Sequence, residues 1–149
     1  MCEKTTYEQQ LETHGILYDT TRGFSMRPFL RSGEDMMVIT RKGPERCRKY
    51  DAILYRRATG KYVLHRIVAV RPDSYVLRGD NCLRREYGIT DEQVLGVLTG
   101  VIRKGQKMDV NCWRYRMGVK LWCWSHLLRM PWFFLREKLW QRKQRKNTP

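Results

Sequence analysis

The sequence predicts a mainly β protein, in which a small, twisted, partly closed antiparallel β-domain lies between a short N-terminal helix and a C-terminal amphipathic helical tail. Between residues 16 and 105, short runs of β-branched and aromatic residues alternate with turns that contain Gly, Pro and Asp. This spacing is typical of small antiparallel β-domains. A helix-capping pattern precedes these runs, and a change of composition follows them. We therefore divide the chain into an N-terminal helix (1–15), a β-domain (16–105) and a tail (106–149).

The N-terminal helix is predicted from its two ends. Thr5 is expected to cap it, with Glu8 three residues later as the partner in a capping box. Tyr7 and Leu11 lie four residues apart and so share one face. Gly15 is a natural stop for the helix.

The β-domain is predicted from six runs with the composition of strands. Turn residues separate them, and the two glycines of the last run permit bends or bulges. The runs are residues 16–18, 36–40, 52–55, 62–70, 75–78 and 94–102.

The tail differs from the rest of the chain in charge and in aromatic content. Residues 103–149 hold 13 of the 30 Lys and Arg residues but only 2 of the 15 Asp and Glu residues, and they contain all 5 tryptophans. Tryptophan mixed with basic residues is the composition of a helix that lies in a membrane interface. Pro131 is expected to break or kink the tail into two helical pieces. The alternative is a C-terminal helix whose aromatic residues pack on the β-domain.

The composition also limits which partners the protein is expected to have and where it is expected to be located. No window of about 18 residues lacks charges, and no N-terminal apolar stretch resembles a signal peptide. The sequence therefore predicts peripheral attachment, through the tail, to an anionic membrane surface on its cytoplasmic face. Nucleic acid is the rival partner of so basic a tail, but no recognised DNA- or RNA-reading module accompanies the β-domain. We therefore expect no nucleic-acid partner.

Five cysteines, an odd number, are spread along the chain at positions 2, 47, 82, 112 and 123. They include no C-x-x-C pair, and no His and Cys spacing indicates zinc. We expect free thiols, no metal and no other cofactor.

A candidate nucleophile lies in the run 23–28, which reads Gly-Phe-Ser-Met-Arg-Pro. Gly23 tolerates backbone angles that other residues avoid, and Pro28 fixes its own φ and favours extended geometry at Arg27. These residues predict a stiff corner that holds the hydroxyl of Ser25 in a defined place. A serine nucleophile also needs a base within hydrogen-bond reach. The alternative is that Ser25 is an ordinary turn residue.

The candidate base is His65, on the longest predicted strand. Its neighbours on the same face are apolar, and an imidazole with a pKa of about 6.5 accepts a proton from serine near neutral pH. Alternatively, His65 is a buried histidine whose partner is a backbone carbonyl. Arg66 is expected to point to the opposite face. Asp80, in the turn Gly-Asp-Asn, either orients His65 or braces the site, as a carboxylate does beside a catalytic histidine, or is simply a turn residue.

Taken together and in order, these segments resemble the signal peptidase superfamily, which also contains the self-cleaving repressors of the SOS type. The similarity covers roughly residues 20–103. The segments are Gly-Phe-Ser-Met-Arg-Pro (23–28), Gly-Glu-Asp (33–35), Tyr-Asp-Ala-Ile-Leu-Tyr (50–55), His-Arg-Ile (65–67), Gly-Asp-Asn (79–81) and Val-Leu-Gly (94–96).

The resemblance implies a serine endopeptidase. Ser25 matches the nucleophile, and His65 matches the base position of the branch that uses histidine, as the endoplasmic-reticulum and archaeal enzymes do. Asp80 matches the aspartate that supports the active site, and Asp91 is a loose match for a further aspartate. The backbone N–H of Ser25 is expected to donate to the oxyanion, and Met26 beside it is the other expected substrate-binding or oxyanion residue.

Three departures from the family pattern accompany the resemblance. The second motif, Gly-Glu-Asp, is one residue longer than usual, and Tyr50 replaces the usual glycine of the third motif. The membrane helix that most signal peptidases carry at the N-terminus has no counterpart. The expected function is therefore cleavage of a leader or signal segment from a precursor peptide near a membrane surface. The alternative is an inactive or self-processing relative that serves as a binding module.

Overall fold

The computed structural model describes the backbone of residues 6–146 and the side chains of residues 6–136, 138 and 139. An open eight-stranded antiparallel sheet follows one short helix and precedes two further helices, which confirms the predicted mainly β fold. The helices are α1 (Tyr7–His14), α2 (Trp113–Trp124) and α3 (His126–Lys146). The strands are β1 (Ile16–Thr20), β2 (Asp35–Arg41), β3 (Ala52–Arg56), β4 (Tyr62–Val70), β5 (Tyr75–Arg78), β6 (Arg85–Ile89), β7 (Val94–Arg103) and β8 (Gln106–Asp109).

The α1 helix begins one residue later than the sequence predicted. Thr6 caps the helix and forms a capping box with Gln9, whereas the predicted cap, Thr5, lies outside the described residues. Gly15 ends the helix in the left-handed conformation, with φ of 70°, as predicted. Leu11 is buried and anchors the helix on the sheet.

The strands are ordered β1-β2-β7-β3-β4-β5-β6, and β8 extends the pairing of β7. All six predicted strands are present. Two more, β6 and β8, were not predicted. The pairing of β7 with β8 carries the sheet to Asp109, so the predicted boundary after Gly105 falls within a β-hairpin.

Two apolar clusters lie on opposite faces of the sheet. The central strand β3 is buried on both faces, so Leu54 belongs to one cluster and Ile53 and Tyr55 to the other. Because side chains alternate along a strand, the neighbouring strand β4 sends His65 toward Tyr55 and Arg66 to the opposite face. His65 and Arg66, which are adjacent in β4, therefore lie in two separate environments on opposite faces of the sheet.

The tail packs against the sheet along one side. The ring of Phe29 makes edge contacts with Tyr115 and Trp122 of α2, and the indole N–H of Trp122 donates to the backbone oxygen of Asp80 at 2.8 Å. The predicted division into two helical pieces exists, but the chain breaks at Ser125 and not at Pro131. Pro131 lies inside α3, where its missing N–H removes one backbone hydrogen bond.

Tyr50 adopts a conformation that favours glycine. Its φ is 78°, in the left-handed region, which costs an L-residue about 1–2 kcal/mol. The backbone cannot relax, because Tyr50 donates to Ile67 at 2.8 Å and accepts from the guanidinium of Arg66 at 2.8 Å. Tyr50 therefore leaves local strain in the fold.

Replacing Tyr50 by glycine should relieve this strain. Tyr50→Ala is the matched control, because it also removes the ring but keeps a Cβ at the same φ. We expect Tyr50→Gly to unfold at a higher urea concentration than Tyr50→Ala. The difference in unfolding free energy should be about 1 kcal/mol after the greater freedom of glycine in the unfolded chain is included. Equal stabilities of the two variants would contradict a strained Tyr50.

Candidate active site

The predicted corner around Ser25 is a series of turns between β1 and β2. Gly23 has φ of 92°, and its N–H donates to the hydroxyl of Ser32 at 3.1 Å. Farther along, the N–H of Arg27 donates to Phe24 at 3.3 Å and that of Leu30 to Met26 at 3.0 Å. These bonds tie both ends of the corner and fix the position of Ser25 between them.

Gly79 brings the corner and the histidine together. A Cβ at this glycine would lie 2.8 Å from the backbone oxygen of Ser25, 3.1 Å from Nε2 of His65 and 2.7 Å from Sγ of Cys82. The two distances below 3 Å are shorter than real carbon contacts, so only glycine permits this close approach. The structure thus brings the backbone of Ser25 and the ring of His65 close to the same turn.

Asn81 clamps the nucleophile corner onto the same turn. Its backbone N–H donates to the oxygen of Ser25 at 2.7 Å, and its side-chain amide donates to the oxygen of Phe24 at 3.1 Å. Two hydrogen bonds from one residue therefore fix the peptide units on either side of the Ser25 α-carbon.

His65 has a carboxylate partner, which is Glu86 of β6. The imidazole is 8 % exposed, and its Nδ1 lies 3.0 Å from Oε1 of Glu86 and 3.4 Å from the hydroxyl of Tyr55. Arg57 holds Glu86 from the other side, with Nε 2.9 Å from Oε2. A carboxylate on Nδ1 selects the tautomer in which Nε2 carries the free lone pair, and Nε2 is the nitrogen that faces the Ser25 corner.

The surroundings favour the neutral form of the imidazole and the charged form of the carboxylate. Burial lowers the pKa of His65 from its usual value, against the opposing effect of Glu86. Burial acts to raise the pKa of Glu86, but hydrogen bonds from Arg57 and Tyr55 outweigh it and lower the pKa. At neutral pH, His65 is therefore a free base beside an ionised carboxylate.

Asp80 does not contact His65, which corrects its predicted role as the residue that orients the base. It lies on the opposite face of β4, in a bidentate pair with Arg66 in which both N–O distances are 2.7 Å. Both side chains of the pair are 2 % exposed. Asp80 thus braces the turn that contains Gly79 and Asn81, which is the other role that the sequence suggested.

Asp91 is also engaged elsewhere. It accepts from Tyr75 at 2.5 Å and forms ion pairs with Lys42 and Arg46 at 3.2 and 3.0 Å. The loose match of Asp91 to a catalytic aspartate therefore has no counterpart in the geometry.

The two predicted oxyanion or substrate-binding groups, Met26 and the backbone N–H of Ser25, differ in their surroundings. The side chain of Met26 is buried, with 4 % exposed, and belongs to the core. No described residue accepts a hydrogen bond from the N–H of Ser25, and the oxyanion role of this donor stays a prediction.

A groove of about 740 Å³ leads away from Ser25. Its floor is apolar and includes Met26, Met37, Leu54 and Leu64. The end of β1 and the residues that follow it form one wall, and among the described strands β1 pairs with β2 alone. The groove therefore lies over the apolar face of the sheet that contains Leu54 and runs beside Ser25.

The tail reaches the nucleophile corner through Arg136 of α3. Its guanidinium donates to the side-chain oxygen of Asn81 at 3.0 Å and to the backbone oxygen of Asn81 at 3.1 Å. Asn81 in turn holds Ser25 and Phe24. Helix α3, which lies in the segment predicted to attach the protein to a membrane, is therefore linked to Ser25 through Asn81.

Sequence reasoning missed Glu86 and Arg136. Glu86 escaped because the resemblance pointed to an aspartate and because the charged run before Gly88 did not predict a strand. The alternation of Tyr87 and Ile89 was the available signal. Arg136 has no local signal, since its partner lies 55 residues away.

Neither a disulfide nor a cluster suited to a metal ion occurs in the part of the chain that the structure describes. Cys47, Cys82, Cys112 and Cys123 are free thiols, whereas Cys2 lies outside the described residues. Comparisons of the chain with family models, with curated proteins and with solved structures returned no match.

The position of Glu86 predicts the effect of Glu86→Gln. The amide retains a hydrogen-bond acceptor but no longer stabilises an imidazolium, so the second-order rate of fluorophosphonate labelling at Ser25 should fall by about 10²–10⁴-fold. The control is Glu92→Gln, at an exposed glutamate that follows β6, and it should label at the unchanged rate. Wild-type reactivity in Glu86→Gln would contradict the assignment.

Proposed function

We propose that the protein is a serine endopeptidase of the signal peptidase type, in which Ser25, His65 and Glu86 form the catalytic triad. The observation that supports this most strongly is the position of His65. Its Nε2 faces the Ser25 corner across Gly79, and its Nδ1 lies 3.0 Å from Glu86. A buried histidine with a carboxylate on one nitrogen and a constrained serine loop at the other is the arrangement that acyl transfer needs.

The proposed reaction has two halves. Oγ of Ser25 attacks the scissile carbonyl carbon while its proton passes to Nε2 of His65, and Glu86 stabilises the resulting imidazolium. The tetrahedral intermediate then expels the amine, which takes that proton, and an acyl-enzyme ester remains on Ser25. Water activated by His65 hydrolyses the ester. The N–H of Ser25 donates to the oxyanion in both halves.

The groove favours a peptide as the substrate. An extended chain can add to the unpaired edge of β1 through main-chain hydrogen bonds, while alternate side chains enter the apolar floor. This fits cleavage of a leader or signal segment from a precursor, as the family resemblance suggests.

Labelling with a fluorophosphonate probe tests the triad without knowledge of the substrate. The wild-type chain should become labelled at Ser25, whereas Ser25→Ala should not, and His65→Ala should react about 10²–10⁴-fold more slowly. His14→Ala, at an exposed histidine of α1, is the matched control. Because burial lowers the pKa of His65, the labelling rate should remain constant down to about pH 6.5 and fall only below it, as the base becomes protonated.

Two outcomes would contradict the proposal. Labelling that persists in Ser25→Ala would assign the reactivity to another residue. A wild-type chain that never reacts at pH 8 and cleaves no peptide would favour the alternative, in which the same fold serves as a binding module without catalysis.

We also propose that the tail holds the enzyme at an anionic membrane surface. No helix of the described chain is long and apolar enough to cross a bilayer. One side of the tail packs on the sheet, but the other exposes large apolar side chains, among them Trp124, Leu127 and Leu128 at 77, 71 and 78 %. These three cluster where α2 meets α3, and Lys120 on the exposed side of α2 supplies charge for anionic lipid.

Vesicle flotation with phosphatidylglycerol liposomes tests the attachment. The variant Trp124→Glu/Leu128→Glu should bind at least about tenfold more weakly than the wild type, because it removes two apolar side chains and adds two negative charges. The control Ile16→Glu/Val70→Glu makes the same charge change at exposed apolar positions of the sheet, and it should float like the wild type. Equal binding by both double variants would contradict attachment through the α2–α3 corner.

A further inference from the structure

A second cavity, of about 540 Å³, lies at the nucleophile corner and shares no lining residue with the groove. The nucleophile corner forms one wall through Phe24 and Arg27, and the turn after Asn81 forms another. The groove also contacts the corner, through Gly23 and Ser25. The two cavities therefore contact the same corner through different residues, the groove through Gly23 and Ser25 and the second cavity through Phe24 and Arg27.

Helix α3 closes this second cavity. Phe133 is buried, with 4 % exposed, and presents an aromatic surface to the cavity. Arg136 fixes the helix in place through its two hydrogen bonds to Asn81. The cavity is therefore a formed feature of the fold, because its walls are bonded to one another.

The cavity lining is cationic and apolar, with no acidic residue. Arg27, Arg84 and Arg136 line it together with Phe24, Leu83 and Phe133. Arg136 is bound to Asn81, but Arg27 and Arg84 are exposed and form no ion pair with any described carboxylate. The guanidinium of Arg27 lies 4.6 Å from the centre of the Phe24 ring, which holds a positive charge over an apolar surface.

The groove is less cationic than the second cavity. It contains Asp19, which accepts a hydrogen bond from Tyr7, and its basic residues Arg22 and Lys61 accompany a floor of aliphatic and aromatic side chains. A bound peptide therefore meets a higher density of positive charge in the second cavity than in the groove.

We infer that the second cavity is a substrate subsite, distinct from the groove, for acidic residues next to an aromatic or aliphatic one. This inference rests on the proposed function, because it treats Ser25 as the point of cleavage. Carboxylates of the peptide pair with Arg27 and Arg84 at the rim, and the apolar side chain lies against Phe24 and Phe133. Such charge complementarity selects between substrates more than it adds affinity.

Fluorescence polarisation on the full-length Ser25→Ala chain tests the subsite. The probes are two fluorescein-labelled hexapeptides, Ala-Ala-Phe-Glu-Glu-Phe and Ala-Ala-Phe-Lys-Lys-Phe. We expect the first to bind about tenfold more tightly than the second, since two ion pairs at a partly exposed site together contribute about one factor of ten. Arg27→Gln/Arg84→Gln in the same background should abolish the difference, and Arg84→Gln alone should reduce it.

The control is Lys104→Gln/Lys107→Gln, which removes the same charge from the exposed β7–β8 hairpin and should keep the preference for the acidic peptide. Equal binding of the two peptides would overturn the inference. So would an equal loss of preference in the control, because the selectivity would then come from net charge alone.

A labelling experiment with the wild-type chain places the subsite relative to Ser25. The acidic peptide should slow fluorophosphonate labelling of Ser25, and the slowing should disappear in Arg27→Gln/Arg84→Gln. Binding without any slowing would overturn the inference by placing the peptide elsewhere. A wild-type chain that never labels would defeat the proposed peptidase, whereas the polarisation result would still decide whether this cavity binds acidic peptides.

Discussion

The close approach at Gly79 is the constraint on which the candidate site depends. The turn after β5 passes so near the backbone of Ser25 and the ring of His65 that no side chain fits between them. Ser25 and Gly79, which are 54 positions apart in the chain, therefore lie close together. Asn81 fixes this contact by hydrogen bonds to the backbone oxygens of Ser25 and Phe24. Any displacement of this turn would move the nucleophile corner and the base relative to each other.

Two carboxylate contacts on opposite faces of β4 hold this arrangement. On one face Glu86 bonds His65, and on the other Asp80 bonds Arg66, the next residue of the strand. The Arg66–Asp80 pair is almost fully buried, and loss of one partner from such a pair leaves a charge that costs about 3–5 kcal/mol. Arg66 also contacts Tyr50 and Tyr115, so one guanidinium connects the turn to a loop and to α2.

Because the two faces of β4 have different partners, only part of the site could be predicted from the sequence. That the Ser25 corner and His65 lie near one turn could be predicted because each lies in a short motif with a distinctive order of residues, and their catalytic roles stay predictions. Asp80 was identified as important from its motif, but the face on which it acts depends on the alternation of β4 and on the partner that Arg66 offers. Sequence spacing does not specify that partner.

The missed elements have a common physical reason. Strand β6 contains two charged residues and Gly88, so its local preference for a strand is weak, and it exists because it pairs with β5. Glu86 faces His65 only by virtue of this pairing. Strand β4, which has a strong local pattern of apolar and β-branched residues, was predicted with the bounds that the structure has.

The tail takes part in the site as well as in the proposed attachment. Its inner side packs on Phe29 and bonds Asp80 and Asn81, while its outer side presents Trp124, Leu127 and Leu128. A bilayer that contacts the outer side would therefore contact the same two helices whose inner side supports the nucleophile corner. Because Arg136 joins α3 to Asn81, and Asn81 joins the corner to Gly79, an ordered α3 and an ordered Ser25 stabilise each other. Binding that orders the tail would therefore favour the reactive geometry by the same free energy with which the formed site favours the bound tail.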